Sequence, residues 1–333
     1  MLLSARTPLR ISLAGGGTDV PPYSEYHESM VVNFTINRFV RGYLNLNTDK
    51  ESSAPIAIIL NDGLFENTFA DKLCNFLNIN YGGLLKNKVI INIQSPVPPG
   101  SGLGASSAVI VTAISIIQNY LSNKINKREL AEVAYKCERN FMGIRGGYQD
   151  HYSATFGGVS SYFKNPKKDR KRVEVRNLKL GREFIREMED SMVLVDLNIP
   201  RSGEIIIEDQ QKNIINGNVQ SMKATSQQYL IAKKMIKALI KEDISEISEL
   251  VMQSWESKKN FSQMISSDYI DSIIQAFLNL GAKGIKLTGA GGGGHLLIIG
   301  SKYINNTIMQ KSKSLGLDPS QFTIVENGSQ IWK

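Results

Sequence analysis

The sequence predicts an α+β fold in two domains, and three observations carry that expectation. The first half alternates apolar and polar positions, for example Val40, Gly42, Leu44 and Leu46 against Arg41, Tyr43, Asn45 and Asn47, as a half-buried antiparallel strand does. Helical spacing takes over from about Gly203 to Leu280. A chain of 333 residues also has core enough for about two domains. The texture changes just before Met192–Leu197, an apolar run that starts afresh as a strand. The expected domains are therefore 1–190 and 191–333.

Composition narrows the class of partner. With 42% hydrophobic and 21% charged residues, the chain is an ordinary globular protein. Its net charge of +8 suits an anionic ligand such as a nucleotide or a sugar phosphate. No stripe of interleaved aromatic and basic residues supports nucleic-acid binding. The longest apolar run, Ala108 to Ile117, is too short for a membrane span. The opening MLLSARTPLRISLAGGG lacks the basic-then-apolar order of a signal peptide. Cys74 and Cys137 stand far apart without metal-like spacing, so a disulfide framework is not expected and a reducing, cytoplasmic setting is.

Taken in order, residues 2–14 are extended and end in Ala14-Gly15-Gly16-Gly17-Thr18-Asp19, which can neither continue a strand nor start a stable helix. This is either a loop laying its backbone on a ligand, with Asp19 accepting from hydroxyls, or a turn capped by Asp19. Strand pattern is expected over 30–70. A further strand, Lys88 to Gln94, leads into Pro98-Pro99-Gly100-Ser101-Gly102-Leu103-Gly104-Ala105-Ser106-Ser107 and then the apolar helix Ala108 to Gln118. Glycines at alternate positions bring backbone amides close to a ligand, and a helix start favours an anion. The loop lacks a Walker A lysine and GxGxxG spacing.

Lys127 to Asn140 reads as a helix with Leu130, Val133, Ala134 and Cys137 as its buried stripe. Glu138 lies beside that stripe near the C-terminal end, where a carboxylate is disfavoured unless a cation faces it. Asp150, within the glycine-flanked stretch Gly143 to Gly158, either caps a helix starting at His151 or acts as a base. Val159–Phe163 and Val173–Leu178 form hairpin arms with a solvated basic tip. Beyond Met192 come helices at 223–241, 244–258 and 268–280, strands Gly284–Leu287 and His295–Ile299 around a bare glycine loop, a helix at 304–315 and a strand at 322–325.

Three glycine loops in this order, with Glu138 and Asp150 between them, resemble the GHMP small-molecule kinases, the superfamily of galactokinase, homoserine kinase and mevalonate kinase. The matching motifs are Pro8 to Asp19, Pro98 to Ala108 and Lys286 to Gly294. The resemblance covers the whole chain and implies a ribosomal-S5-like α/β N-terminal domain and a ferredoxin-like α+β C-terminal domain. It implies that Pro98 to Ser107 hold the phosphates of ATP and that Ser106 and Glu138 are the Mg²⁺ ligands. Asp150 matches the catalytic base and Arg10 the basic residue that offsets charge on the transferred phosphoryl group. Gly16, Gly17, Thr18, Asp19, Arg145, Arg201 and Gly291, Gly292 and Gly293 are the expected substrate contacts. Arg38 and Lys258 are further candidates for a sugar phosphate.

The wording is similar to kinases of D-glycero-D-manno-heptose 7-phosphate in Arg6 to Arg10, Gln149-Asp150, Thr155 to Gly158, Pro200-Arg201-Ser202 with Gln210, and Gly328 to Trp332. This implies phosphorylation of the anomeric hydroxyl to the 1,7-bisphosphate, with a fucokinase-like sugar-1-kinase as the alternative and a non-catalytic sugar-binding regulator behind it. The expected assembly is a monomer or a homodimer. Two positions depart from related patterns. His295 stands where the heptose kinases tend to carry Phe, and Gly16 where galactokinases carry Glu, which argues against galactose.

Overall fold

The computed structural model describes residues 2–46, 54–60, 67–123, 125–169, 172–199 and 203–332. Strand β1 (Leu3–Ala14) is followed by a single helical turn, α1 (Tyr23–Tyr26), the long β2 (Ser29–Leu46), β3 (Ile56–Leu60), α2 (Asn67–Tyr81) and β4 (Val89–Gln94). Helices α3 (Ala105–Tyr120), α4 (Lys127–Tyr135) and α5 (Gln149–Phe156) come next, then β5 (Val159–Lys164), β6 (Val173–Asn177) and α6 (Arg182–Ser191). The first sheet runs β11-β1-β2-β4-β3, where β11 (Gln330–Trp332) is the last strand of the chain. One half of β2 pairs with β4 and the other with β5.

Two sequence expectations change here. Within the strand pattern read over 30–70 the described strands are β2, to Leu46, and β3, Ile56–Leu60, and Asn67 already belongs to a helix. β3 and β4 are parallel, which demands a crossover between them, and α2 supplies it. α3 is buried on every side from Ser107 to Gln118, so its apolar residues form a continuous run rather than a stripe.

After α6 the chain builds a second sheet. β7 (Met192–Asp196) is followed by helices α7 (Gly203–Ile215), α8 (Val219–Ile240), α9 (Ile244–Lys259) and α10 (Asp268–Asn279). β8 (Gly284–Leu287), β9 (His295–Ile299), α11 (Asn305–Ser314) and β10 (Asp318–Ser320) complete it, in the order β10-β7-β9-β8. The strand expected at 322–325 is instead a connector. Its backbone bonds the bend of β2 through Val325 N to Thr35 O and Asn37 N to Thr323 O, and only an isolated Ile36–Ile324 bridge forms. The chain then returns to the first sheet, where β11 pairs with β1. Among the described residues no helix is long and apolar enough to cross a membrane.

Candidate active site

A cleft of about 600 Å³ opens where the two sheets meet. The loop after β1 lines it with Gly16, Gly17 and Asp19, the loop before α3 with Pro98 to Gly102 and Gly104 to Ser106, and the second sheet with Lys286, Gly289 and Ala290. Most of the polar groups expected from sequence therefore converge, although they span the chain.

The phosphate loop earns its shape from glycine. Gly100, Gly102 and Gly104 have φ of 80°, 82° and 78°, a left-handed conformation that other residues rarely adopt. Gly104 is the N-cap, so α3 begins at Ala105, three residues before its apolar run suggested. Ser106 and Ser107 thus lie in the first turn, where backbone N–H groups have no helical partner and attract an anion. From the floor, Arg10 N donates to Leu103 O at 3.0 Å and Arg10 Nη1 to Gly102 O at 2.5 Å. Leu103 itself is a core residue and faces away from the cleft.

Asp150 does not cap a helix. It is the second residue of α5, whose N-cap is Tyr148 without a side-chain cap bond. Its Oδ1 takes both Nε and Nη2 of Arg10, at 2.7 and 2.6 Å. A Cβ placed on Gly104 would lie 3.5 Å from both Arg10 Cγ and Asp150 Cγ, so the phosphate loop rests directly on this pair.

Glu138 sits one layer deeper. The expected helix over 127–140 turns π-helical at Lys136–Phe141, with Met142 N reaching Cys137 O at 2.9 Å. The wider turn buries Cys137 and Glu138 side by side, a local irregularity common at functional sites. Glu138 Oε1 accepts from Ser106 Oγ at 2.7 Å and Oε2 from Ser107 Oγ at 2.6 Å. His151 Nε2 stands 2.6 Å from Oε2 and Arg139 Nη2 3.4 Å from it. Burial pushes this carboxyl up, but Arg139, His151 and the hydroxyl donor outweigh burial and hold it well below the usual carboxylate range. Ser106 faces the cleft while Glu138 stands behind it. A hydroxyl and an ionised carboxylate are hard oxygen donors that fit Mg²⁺, which would keep phosphate oxygens and water on its other positions. Among the described residues no group of three or more His, Cys, Asp or Glu could hold a metal. Ser107, expected at the phosphates, is committed to Glu138.

The loop after β1 is braced from within. Thr18 Oγ1 donates to Gly15 O at 2.8 Å, which makes Thr18 a strut rather than a substrate contact. Asp19 accepts from Gly17 N at 3.2 Å and from Gln149 N at 3.1 Å. Burial, with Asp150 nearby, pushes its carboxyl up despite the backbone donors. Beside it, Ser12 Oγ and Gln149 Oε1 are buried polar atoms without partners, and both residues line the cleft. Sequence reading gave neither a role. An unpaired buried oxygen facing a cleft is where a substrate hydroxyl gains most.

Other expected contacts fall elsewhere. Gly291 packs against Ile265, Gly292 against Ile206 and Gly293 against Ile199, so the third loop lines the cleft through Gly289 and Ala290 instead. Arg145 lies at the rim, bonded to Gln211 at 2.9 Å and 3.7 Å from Glu208. Arg201 lies outside the described residues, as do Pro200 and Ser202. Arg38 points away from the cleft toward Ser320 and His295. Lys258 does line the cleft and donates to Gly289 O. Lys286, named from the sequence only as the start of the third motif and given no role there, is buried at the floor and donates to Leu13 O at 3.2 Å. Burial, with the Arg10 charge nearby, pushes its ammonium down to about 7.

The comparisons with known proteins agree with this geometry. Residues 68–158 match the family model for the GHMP kinases N-terminal domain and residues 235–307 that for the GHMP kinases C-terminal domain. A Campylobacter jejuni protein named D-glycero-alpha-D-manno-heptose 7-phosphate kinase is 31% identical over 99% of this chain and 99% of its own length. A crystal structure described as a D-glycero-D-manno-heptose 1-phosphate kinase from Bacteroides thetaiotaomicron superposes with a TM-score of 0.79, at 26% identity over 100% of this chain and 99% of that one. The L-fucokinase/L-fucose-1-P guanylyltransferase of Bacteroides fragilis is 26% identical over 88% of this chain and 34% of its own length. With whole-length identity to one such kinase, both family domains in order and the matching fold, this chain belongs to the GHMP kinases, phosphotransferases with an alcohol group as acceptor.

Proposed function

We propose that the protein transfers the γ-phosphoryl group of ATP to the anomeric hydroxyl of D-glycero-D-manno-heptose 7-phosphate, giving the 1,7-bisphosphate. The observation that carries the catalytic part is the Arg10–Asp150 pair beneath Gly104, between the anion-binding start of α3 and the loop that holds Asp19. The choice of sugar is supported by the whole-length similarity to a heptose 7-phosphate kinase.

In this reading the acceptor hydroxyl gives its proton to an Asp150 oxygen as it attacks the γ-phosphorus, and ADP leaves. Arg10 orients Asp150 and offsets charge on the transferred group. Ser106 and Glu138 would hold Mg²⁺, which when bound neutralises charge on the ATP phosphates. Asp19, Ser12 and Gln149 offer acceptors to sugar hydroxyls, with Arg145 at the rim for the 7-phosphate. Arg145→Ala should then raise the KM for the sugar phosphate far more than that for ATP, and equal rises would remove it from that role.

A coupled ADP-release assay across heptose 7-phosphate, free heptose, mannose and fucose tests the reading. Turnover confined to the 7-phosphate supports it. Preference for free fucose would replace it with the fucokinase-like alternative, which the similarity to the Bacteroides fragilis protein keeps in view.

A further inference from the structure

His295 opens β9 and sits against the phosphate loop of the other sheet. Its backbone N–H donates to Ser101 O at 3.2 Å, and its ring Nδ1 lies 2.9 Å from the same oxygen. A carbonyl only accepts, so Nδ1 carries the hydrogen. On the far side of the ring, Arg38 Nη1 is 3.4 Å from Nε2. A guanidinium only donates, so Nε2 is the acceptor. The two contacts together favour the hydrogen on Nδ1, and Asp196 Oδ2 lies 3.7 Å from Nε2 beside them. The ring is buried.

Gly294 makes the approach possible. A Cβ there would stand 2.6 Å from Ser101 O and 3.1 Å from Gly100 O, and its φ of 77° is left-handed. In a trans peptide the C=O and the following N–H point in opposite directions. Drawing the Ser101 carbonyl into the protein therefore turns the Gly102 N–H the other way, and Gly102 lines the cleft. Arg10 holds the adjoining carbonyls of Gly102 and Leu103 from the floor. The loop, flexible in isolation because alternate residues are glycine, is thus pinned from both sheets.

We infer that His295 is a positioning residue for the nucleotide, a tautomer-fixed clamp through which the second sheet sets the backbone at Ser101 and Gly102. It acts on nucleotide affinity through the loop and does not touch the reacting atoms. The inference rests on the kinase reading of the cleft.

The test is calorimetric titration of the full chain with MgADP, using wild type, His295→Asn, His295→Gln, His295→Phe and Arg38→Met. An Asn amide nitrogen takes the place of Nδ1, whereas Gln mimics Nε2. His295→Asn should bind as wild type does. His295→Phe and His295→Gln should bind about fivefold to tenfold more weakly, the scale of one hydrogen bond in a buried site, with the KM for sugar and the kcat at saturating ATP unchanged. Arg38→Met, which removes the tautomer lock but leaves the ring, should weaken MgADP in the same direction and reports on the clamp should His295→Phe fail to fold. Wild-type affinity in His295→Gln and Arg38→Met, or an Asn variant as weak as the Gln variant, would overturn the clamp while leaving the kinase reading intact. A wild-type protein that binds no MgADP would overturn both.

Discussion

Arg10 places Nε and Nη2 on one oxygen of Asp150, Oδ1, at 2.7 and 2.6 Å. The bond is therefore forked onto a single atom rather than bidentate, and Oδ2 is left out of it. Under the proposed mechanism that second oxygen is the one left to accept a substrate proton, and Asp150 is about a fifth exposed where Arg10 is almost fully buried.

Removing the base while keeping its shape should abolish turnover but not binding. Asp150→Asn is expected to lower kcat by about 10²- to 10⁴-fold, the usual scale for a general base. MgADP affinity, which the proposal assigns to the loop and the start of α3, should stay near that of wild type. Arg10→Lys should lower kcat as well, because one ammonium cannot serve Asp150, Gly102 O and the transferred group together. Single-turnover kinetics with a parallel ADP titration separates the two effects.

Asp19 offers a second test at a residue that is not itself polar. A Cβ on Gly147 would overlap the Asp19 carboxylate. Gly147→Ala should push that carboxylate off Gln149 N and raise the KM for the sugar. The KM for ATP should not follow, since the Arg10 contacts to Gly102 and Leu103 are untouched. A parallel rise in both constants would place the damage in the fold at large.

How much of this could be read from the chain alone depends on whether the signal was local. Glycine loops announce themselves because few other residues tolerate their backbone, so all three and their order were legible. Gly284–Leu287 and His295–Ile299 were found to the residue because each is a short apolar run bounded by glycine. α2 was missed, since its polar residues mask the apolar stripe and an extended pattern precedes it. The Arg10–Asp150 contact spans 140 residues and has no local signature; the family resemblance named the two residues and their separate roles. Nothing in the sequence marked the π-helical turn that carries Glu138 inward, or the commitment of Ser107 to that carboxylate. Unpaired atoms such as Ser12 Oγ exist only once strands are in register.

Glu138 should support both metal binding and stability. Glu138→Gln leaves Arg139 and His151 beside a neutral amide, and breaking a buried ion pair typically costs about 3–5 kcal/mol. The carboxyl lies lower in the folded protein than in the unfolded chain, so the unfolded state binds more protons as pH falls. The stabilisation is present above the unfolded carboxylate range and is lost below it. Urea unfolding at pH 7 should therefore show a large loss for the variant, shrinking as the pH is lowered toward 4. The Mg²⁺ concentration for half-maximal turnover should rise in the same protein. A variant with wild-type urea stability at pH 7 would contradict the burial argument.

Lys286 gives the opposite pH dependence, and the sign follows from its environment. Burial, with Arg10 nearby, pushes its ammonium down to about 7 in the folded protein, against about 10.4 for an exposed lysine. Between those values the unfolded chain keeps a proton that the folded one has released, so stability rises with pH across the window. Below about pH 7 the full cost of burying the charge is present. Lys286→Met removes the titrating group and the bond to Leu13 O, which costs the same at every pH. The stability difference, wild type minus variant, should then grow as pH rises from 6.5 to 9.5. Urea titrations at intervals across that range measure it, and parallel curves for the two proteins would show that Lys286 is charged throughout.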